Sequence, residues 1–289
     1  MSGEPKATDG IGKPFAEWIG RRTEQQDIVT PRLDSSYRAV FEPHLAAVEA
    51  GAAPLGLHWC LSPRIAGMAE LGADGHPAKN RDLPPVPQPR RMWAGGAIET
   101  FDSLRVGDHV RLVSTITDVT FKQGRSGTLC FVTVSHDYLT ERGLAIRDRQ
   151  DAVYREAAKL PPADSAGDKG ASARVPRRSW PIETSPTFLF RYSAITFNGH
   201  RIHYDQPYAT GVEGYPGLVV HGPLQATLLF NRAAIEAGRV PKRFDYRGLS
   251  PAIVGEPLAV CAGGAGEENL FWMQGPSGRV HMEARVSFS

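Results

Sequence analysis

Chemistry-bearing residues of this chain concentrate in one stretch, Thr196-Phe197-Asn198-Gly199-His200-Arg201-Ile202-His203-Tyr204-Asp205, followed by Tyr215-Pro216-Gly217-Leu218-Val219-Val220-His221-Gly222-Pro223-Leu224. A neutral imidazole such as His203, with an ordinary pKa near 6.5, can take and return a proton at working pH. Asn198, five residues earlier, can hold a water or a substrate hydroxyl, but an amide is not a proton-transfer base. Local polar bonding that merely caps a loop explains an isolated histidine. The crowding of His200, Arg201, Tyr204 and Asp205 around His203 argues instead for a site. His200, His203 and His221 with Asp205 could in principle ligate zinc, but loop spacing of this kind is a weak metal signal, and no metal is expected.

Other groups could serve an acyl or anionic ligand. Gly222 sits at the mouth of an apolar helix, where free N–H groups and partial positive charge suit a developing oxyanion. A tight turn that needs glycine explains the same residue. Arg90 and Arg91 with Trp93 could grip phosphates and a base, or could be a solvated basic loop. Arg125, Arg191 and Arg201 are further cations that could meet an acidic substrate.

The elements that must position these residues follow from periodicity. The spacing of Tyr37, Val40, Phe41, His44, Leu45 and Val48 predicts a helix from residue 34 or 35 to residue 50. Residues 72–96, punctuated by glycine and proline, read as a loop. Strands are predicted over 110–119, 128–138 and 144–155, the first two joined as a hairpin. Residues 157–180 read as a linker, because nothing large and apolar follows Leu160 in the stretch to Val175. A strand over 187–197 leads into the candidate loop. A helix over 223–237 starts at Pro223, stops at Gly238 and is apolar nearly all round, so it must be buried. Strands are predicted over 244–249, 257–261 and 270–273, and one over 279–288 alternates cleanly between apolar and polar residues. Each half is then one main helix with several antiparallel strands, an α+β plan in which a sheet wraps a helix.

Bulk properties narrow the classes. The chain has 289 residues, 41% hydrophobic and 22% charged, with a net charge of +2. That is ordinary for a globular protein and makes no general case for nucleic acid or a membrane as partner. Cys60, Cys130 and Cys261 are odd in number and widely spaced, which argues against a disulfide framework. The first residues lack signal-peptide character, so a cytoplasmic location is expected. Dinucleotide-binding glycine motifs, phosphate-binding loops, G-x-S-x-G and H-E-x-x-H are all absent.

Residues 196–224 resemble the MaoC-like hydratases, or type 2 hydroxyacyl-thioester dehydratases. That family's pattern runs D-x-N-P-x-H, then an apolar-His-Gly turn opening a central helix. Here Asn198-Gly199-His200-Arg201-Ile202-His203 and Val220-His221-Gly222 stand in those places. The resemblance is strongest to a subgroup that includes mesaconyl-C4-CoA and itaconyl-CoA hydratases. Gly75-His76-Pro77, residues 90–96 and residues 122–127 extend it over nearly the whole chain.

The resemblance implies a double hotdog, two antiparallel sheets each wrapped around a central helix. The expected division is residues 1–156 as a non-catalytic half that shapes the substrate tunnel, a linker over 157–180, and residues 181–289 as the catalytic half. It implies reversible hydration of an enoyl-CoA, with His203 as base, Asn198 orienting water, Asp205 tuning His203 and the Gly222 amide polarising the thioester. A short branched dicarboxylic acyl group giving citramalyl-CoA is the expected substrate, with Arg191 or Arg201 as its carboxylate partner. His200, Tyr204, His221, Arg90, Arg91 and Trp93 complete the expected binding set. No cofactor is expected beyond the coenzyme A of the substrate, and a homodimer is allowed. A fatty-acid dehydratase, a hotdog thioesterase and a non-catalytic acyl-CoA-binding subunit are the alternatives. Asn198 in place of the family's aspartate is the main departure.

Overall fold

The computed structural model describes residues 14–78, 82–124, 127–156 and 174–289. Ten antiparallel strands form one continuous sheet, β1 (Arg22–Ile28), β2 (Arg90–Thr100), β3 (His109–Gly124), β4 (Gly127–Thr140), β5 (Gly143–Arg155), β6 (Arg178–Ile182), β7 (Arg243–Gly248), β8 (Leu258–Ala262), β9 (Leu270–Gln274) and β10 (Val280–Ser287). Their order is β1-β3-β4-β5-β2-β7-β10-β9-β8-β6. Read outward from the β2–β7 pair, both halves run in the same relative sequence order, so the second half repeats the first. The expected pair of separate sheets is therefore one sheet, joined where Gly95 to Glu99 pair with Arg247 to Arg243.

The α-helices among the described residues are α1 (Pro31–Phe41), α2 (Pro186–Ile195), α3 (Gln206–Gly211) and α4 (Gly222–Ala237). α4 matches its sequence pattern, and Leu224, Ala226, Leu229 and Ala233 are fully enclosed. Gly238 closes it at φ 64°, a left-handed stop that glycine adopts without a Cβ penalty. One apolar core takes in α4, Tyr37 and Phe41 of α1, Leu189 and Tyr192 of α2, and residues from both halves of the sheet.

Several sequence expectations are corrected. The helix predicted to reach residue 50 spans only Pro31–Phe41, capped by Thr30, whose hydroxyl accepts from the Leu33 amide at 3.1 Å. Pro43 ends it, since the residue before a proline is pushed out of helical backbone geometry. The strand predicted over 187–197 is α2. Ser185 caps it, accepting from the Phe188 amide at 3.1 Å, Pro186 occupies its first turn, and Leu189, Tyr192 and Ser193 bury one helical face. Aromatic and β-branched residues suggested a strand, while the Ser-Pro start was the signal for a helix.

The loop predicted over 72–96 becomes β2 from Arg90 onward. Its glycines are there because neighbours approach closely: a Cβ on Gly96 would collide with the Arg149 carbonyl and the Tyr246 ring. β1 and β6 were not predicted. β6 takes up residues 178–180 of the expected linker, of which 157–173 lie outside the described residues.

Because α4 is enclosed by both the sheet and α1, truncating it has a large cost. Leu229→Ala is expected to lower unfolding free energy by about 2–5 kcal/mol, measured by urea denaturation. A loss under about 1 kcal/mol would contradict the enclosed position.

Candidate active site

The candidate loop is set by how α2 ends. Phe197 adopts φ 50°, a left-handed position usually given to glycine. The Asn198 amide donates to the Ser193 carbonyl at 2.8 Å and the Phe197 amide to Ala194 at 3.5 Å, so the helix turns back on itself and releases Asn198 at its end. Local strain of this kind, held by the surrounding structure, clusters at functional sites. The Asn198 side-chain oxygen then accepts from the His200 amide at 3.0 Å. That bond uses one lone pair of the oxygen, so Asn198 still offers a ligand its N–H donors and a second lone pair, but no proton-transfer base.

His203 lies on the short 3-10 turn Arg201–His203 and is 7% exposed. Its Nδ1 is 2.7 Å from the Val219 carbonyl. A carbonyl only accepts, so the proton sits on Nδ1 and Nε2 carries the free lone pair. Burial pushes the imidazole down to about 3, against the Val219 hydrogen bond that favours its charged form. The ring stacks on that of His221 at 3.6 Å between centroids.

His221 is 1% exposed and shares a 2.8 Å hydrogen bond with Ser193 through Nε2. It therefore supports His203 from within the core, whereas it was expected to bind substrate. Burial and then the His203 and His200 rings hold it well below the ordinary histidine range.

Arg201 and Asp205 also take different parts from those expected. Arg201 binds the Asp205 carboxylate at 2.7 and 2.9 Å, donates to the Ala73 carbonyl at 3.0 Å and lies over the Tyr208 ring at 4.1 Å. Asp205 caps α3 by accepting from the Tyr208 amide at 3.1 Å. The pair clamps the loop, and it is the Val219 carbonyl, in place of Asp205, that orients His203. The exposed Tyr204 donates to the Gly199 carbonyl at 3.0 Å. Among the described residues the zinc set considered in the sequence is not brought together as one ligand group, and its carboxylate, Asp205, is held by Arg201. Asp74, His76 and His200 instead place ligand atoms within 4.8 Å of one another.

Gly222 opens α4 with an amide that has no hydrogen-bond partner among the described residues. Trp93 packs flat against this turn: a Cβ on Gly222 would lie 2.5 Å from Trp93 Cε3. Trp93 is held in turn by stacking on Tyr246 at 4.6 Å and by an edge contact with Trp59 at 5.8 Å. Beneath them, fully buried Asp148 accepts from Trp59 at 2.8 Å, Gln150 at 2.6 Å and Tyr246 at 3.4 Å. Burial raises its carboxyl to about 6 despite those donors.

A cleft of about 490 Å³ opens here, lined among others by Trp59, Arg64, His76, Arg91, Asn198 and Pro223. Arg91 of the expected set lines it. Arg90 is tied to Glu213 at 3.1 Å, and Arg191 stands exposed on α2. Arg64 and His76 were not singled out in the sequence as site residues. Nothing local marks Arg64, while His76 lay in a motif noted only for its resemblance.

The depressed imidazoles have a consequence for stability. His58, pushed to about 3, His136 and His76, pushed to about 4, and His203 stay neutral in the fold below the pH where the unfolded chain takes up protons. Stability is therefore expected to fall steadily as pH drops from about 6.5 toward 4. Asp148 acts in the opposite sense, but one raised carboxyl cannot offset four lowered imidazoles. Urea denaturation across that range checks it, and a midpoint independent of pH would contradict the buried neutral set.

Comparison with known proteins agrees with the geometry. The model of the family "Hydroxyacyl-thioester dehydratase type 2" matches residues 56–254. The chain is similar to mesaconyl-C(4)-CoA hydratase of Chloroflexus aurantiacus, 38% identical over 270 residues that cover 93% of this chain and 96% of that protein. Among solved structures, HtdX of Mycobacterium tuberculosis superimposes with a TM-score of 0.63 at 16% identity, covering 93% of this chain and all of that one. Another M. tuberculosis protein, described as a double hotdog, does so with a TM-score of 0.52 at 10% identity, covering 93% of this chain and 95% of that one. With one sheet built from two repeats, a buried helix α4 and a histidine loop beside that helix's N-terminus, the chain is a double-hotdog member of the hydroxyacyl-thioester dehydratase type 2 family.

Proposed function

We propose that this protein is a hydro-lyase that adds water reversibly across the α,β double bond of an acyl-CoA. The carrying observation is the pairing of a histidine whose Nε2 lone pair is free with an unpartnered helix-start amide at Gly222. The amide polarises the thioester carbonyl, so negative charge develops where a fixed donor waits. His203 Nε2 takes a proton from water as the oxygen bonds the β carbon, then returns it to the α carbon. Asn198, an amide and so no proton-transfer base, orients the water or the thioester and takes no proton.

A short branched dicarboxylic acyl group, as in mesaconyl-C4-CoA or itaconyl-CoA giving citramalyl-CoA, fits this reading. It is favoured by the 38% identity to a mesaconyl-C(4)-CoA hydratase over most of both chains. Arg64 and Arg91, which line the cleft, are better placed than Arg191 or Arg201 to meet a carboxylate or the phosphates of coenzyme A. Coenzyme A enters as part of the substrate, and the mechanism calls on no separate cofactor. No described helix is long and apolar enough to cross a membrane. A cytoplasmic location and a homodimer belong to the same reading; one chain already supplies both five-stranded halves of the sheet.

The test is loss of enoyl-thioester absorbance with mesaconyl-C4-CoA, itaconyl-CoA and crotonyl-CoA, with free thiol followed in parallel. Absorbance loss without thiol, fastest on the dicarboxylic substrates, is expected. His203→Ala should lower kcat by roughly 10²–10⁴-fold while the protein stays folded. Thiol release would mean a thioesterase, and binding without turnover would mean an acyl-CoA-binding subunit.

A further inference from the structure

The site as described has one proton acceptor, while the related sequence pattern has a carboxylate where Asn198 stands. The amide cannot substitute for it, since an amide oxygen is no proton-transfer base and its nitrogen only donates. A second acceptor comes from the other half of the chain. Residues 73–76 dock directly on the candidate loop. The Arg201 amide donates to the Asp74 carbonyl at 2.9 Å and the Arg201 guanidinium to the Ala73 carbonyl at 3.0 Å. Gly75 and Gly199 meet backbone to backbone: a Cβ on Gly199 would lie 2.7 Å from the Gly75 oxygen, and one on Gly75 would strike the Gly199 carbonyl. Gly75 also holds φ 85°, a conformation that favours glycine.

This docking presents His76 to the cleft beside Asn198. Its Nδ1 lies 3.1 Å from Asp74 Oδ2, and a carboxylate only accepts, so the proton sits on Nδ1 and Nε2 is the free acceptor. The ring lies 4.1 Å from that of His200, which in turn is 5.3 Å from that of His203, centroid to centroid. An imidazole backed by a carboxylate and one backed by a carbonyl, with His200 in ring contact with both, offer two lone pairs to one small molecule with two O–H groups.

We propose that His76, oriented by Asp74, is a catalytic residue that holds the nucleophilic water together with His203, in the place left by the missing carboxylate. This rests on the hydratase reading and extends it. One O–H of the water points to His203 Nε2 and the other to His76 Nε2. The first breaks as oxygen bonds the β carbon, and its proton passes through His203 to the α carbon. The second remains in the product hydroxyl, so His76 gains and loses no proton. Burial and the nearby Arg91 charge, outweighing Asp74, push His76 down to about 4, which keeps the acceptor available at neutral pH. The N-terminal half then does more than shape a tunnel, because it completes the reacting site.

The full-length protein is assayed with mesaconyl-C4-CoA and crotonyl-CoA as wild type, His76→Leu, His76→Gln and Asp74→Asn, with circular dichroism, thermal melts and metal content measured alongside. His76→Leu should lower kcat by about 10²-fold with KM changed less than about threefold. His76→Gln, which keeps an acceptor oxygen, should retain at least about tenfold more kcat than His76→Leu. Asp74→Asn, whose amide can donate to Nδ1 and so place the proton on Nε2, should lower kcat with the His76 ring still present. If His76→Leu fails to fold, the Gln and Asn variants decide. Wild-type kcat in those variants, equal losses in Leu and Gln with KM rising in step, or one tightly bound divalent metal per chain lost with His76 would each overturn the assignment. Hydration by the wild type together with fully active His76 variants would sink this inference alone. Failure of the wild type to consume either enoyl-CoA would remove the hydratase reading and this inference with it.

Discussion

Enclosure of α4 is the constraint on which the rest depends. A helix with Leu224, Ala226, Leu229 and Ala233 fully buried has almost no face to give to water. Here the sheet, with α1 and α2 against it, covers that helix. Enclosing the helix also fixes where its N-terminus emerges, against Trp93 on the central strand pair of the sheet. The one part of α4 that can face a ligand is therefore its end. There the amide of Gly222 lacks an internal partner by the geometry of any helix start. Packing decides the place and backbone geometry supplies the donor.

The histidines show how the same burial shapes chemistry. His203, His221, His200 and His76 lie close together, and desolvation is the first cause of every one of their depressed pKa values. Neutral rings can stack at 3.6 Å without charge repulsion, and each keeps at most one N–H to place. The partner of that N–H then decides the role of the ring. Against the Val219 carbonyl or the Asp74 carboxylate it leaves the Nε2 lone pair unused. His221, with Ser193 on Nε2, is a buttress. Residue type alone does not separate these cases.

The charged residues of the loop illustrate the competition between binding and holding. Arg201 and Asp205 read in the sequence as substrate groups, yet their charges are spent on each other and on the Ala73 carbonyl of the segment docked on the loop. A rigid loop needs such a clamp, because its backbone groups have no ladder to satisfy them. Cations that line the cleft, Arg64 and Arg91, come from segments with no periodic signature.

A family resemblance singled out His203, Asn198 and Gly222 as candidates, while the sequence by itself determined the buried helix, most strands flanking it and the repetition of one plan in both halves. Each is a local pattern whose physics acts within a few residues, through apolar periodicity, capping and turn chemistry. It misjudged α2, because aromatic and β-branched residues in 187–197 outweighed a Ser-Pro start, and it missed β2, whose glycines answer to neighbours distant in the chain. Only the tertiary structure decided that the two sheets join through β2 and β7, that Asp205 belongs to Arg201, and that His221 lies in the core. It alone brought Asp74 and His76, more than a hundred residues away in the chain, onto the loop of His203. Those facts depend on long-range packing, and no spacing within a single segment encodes them.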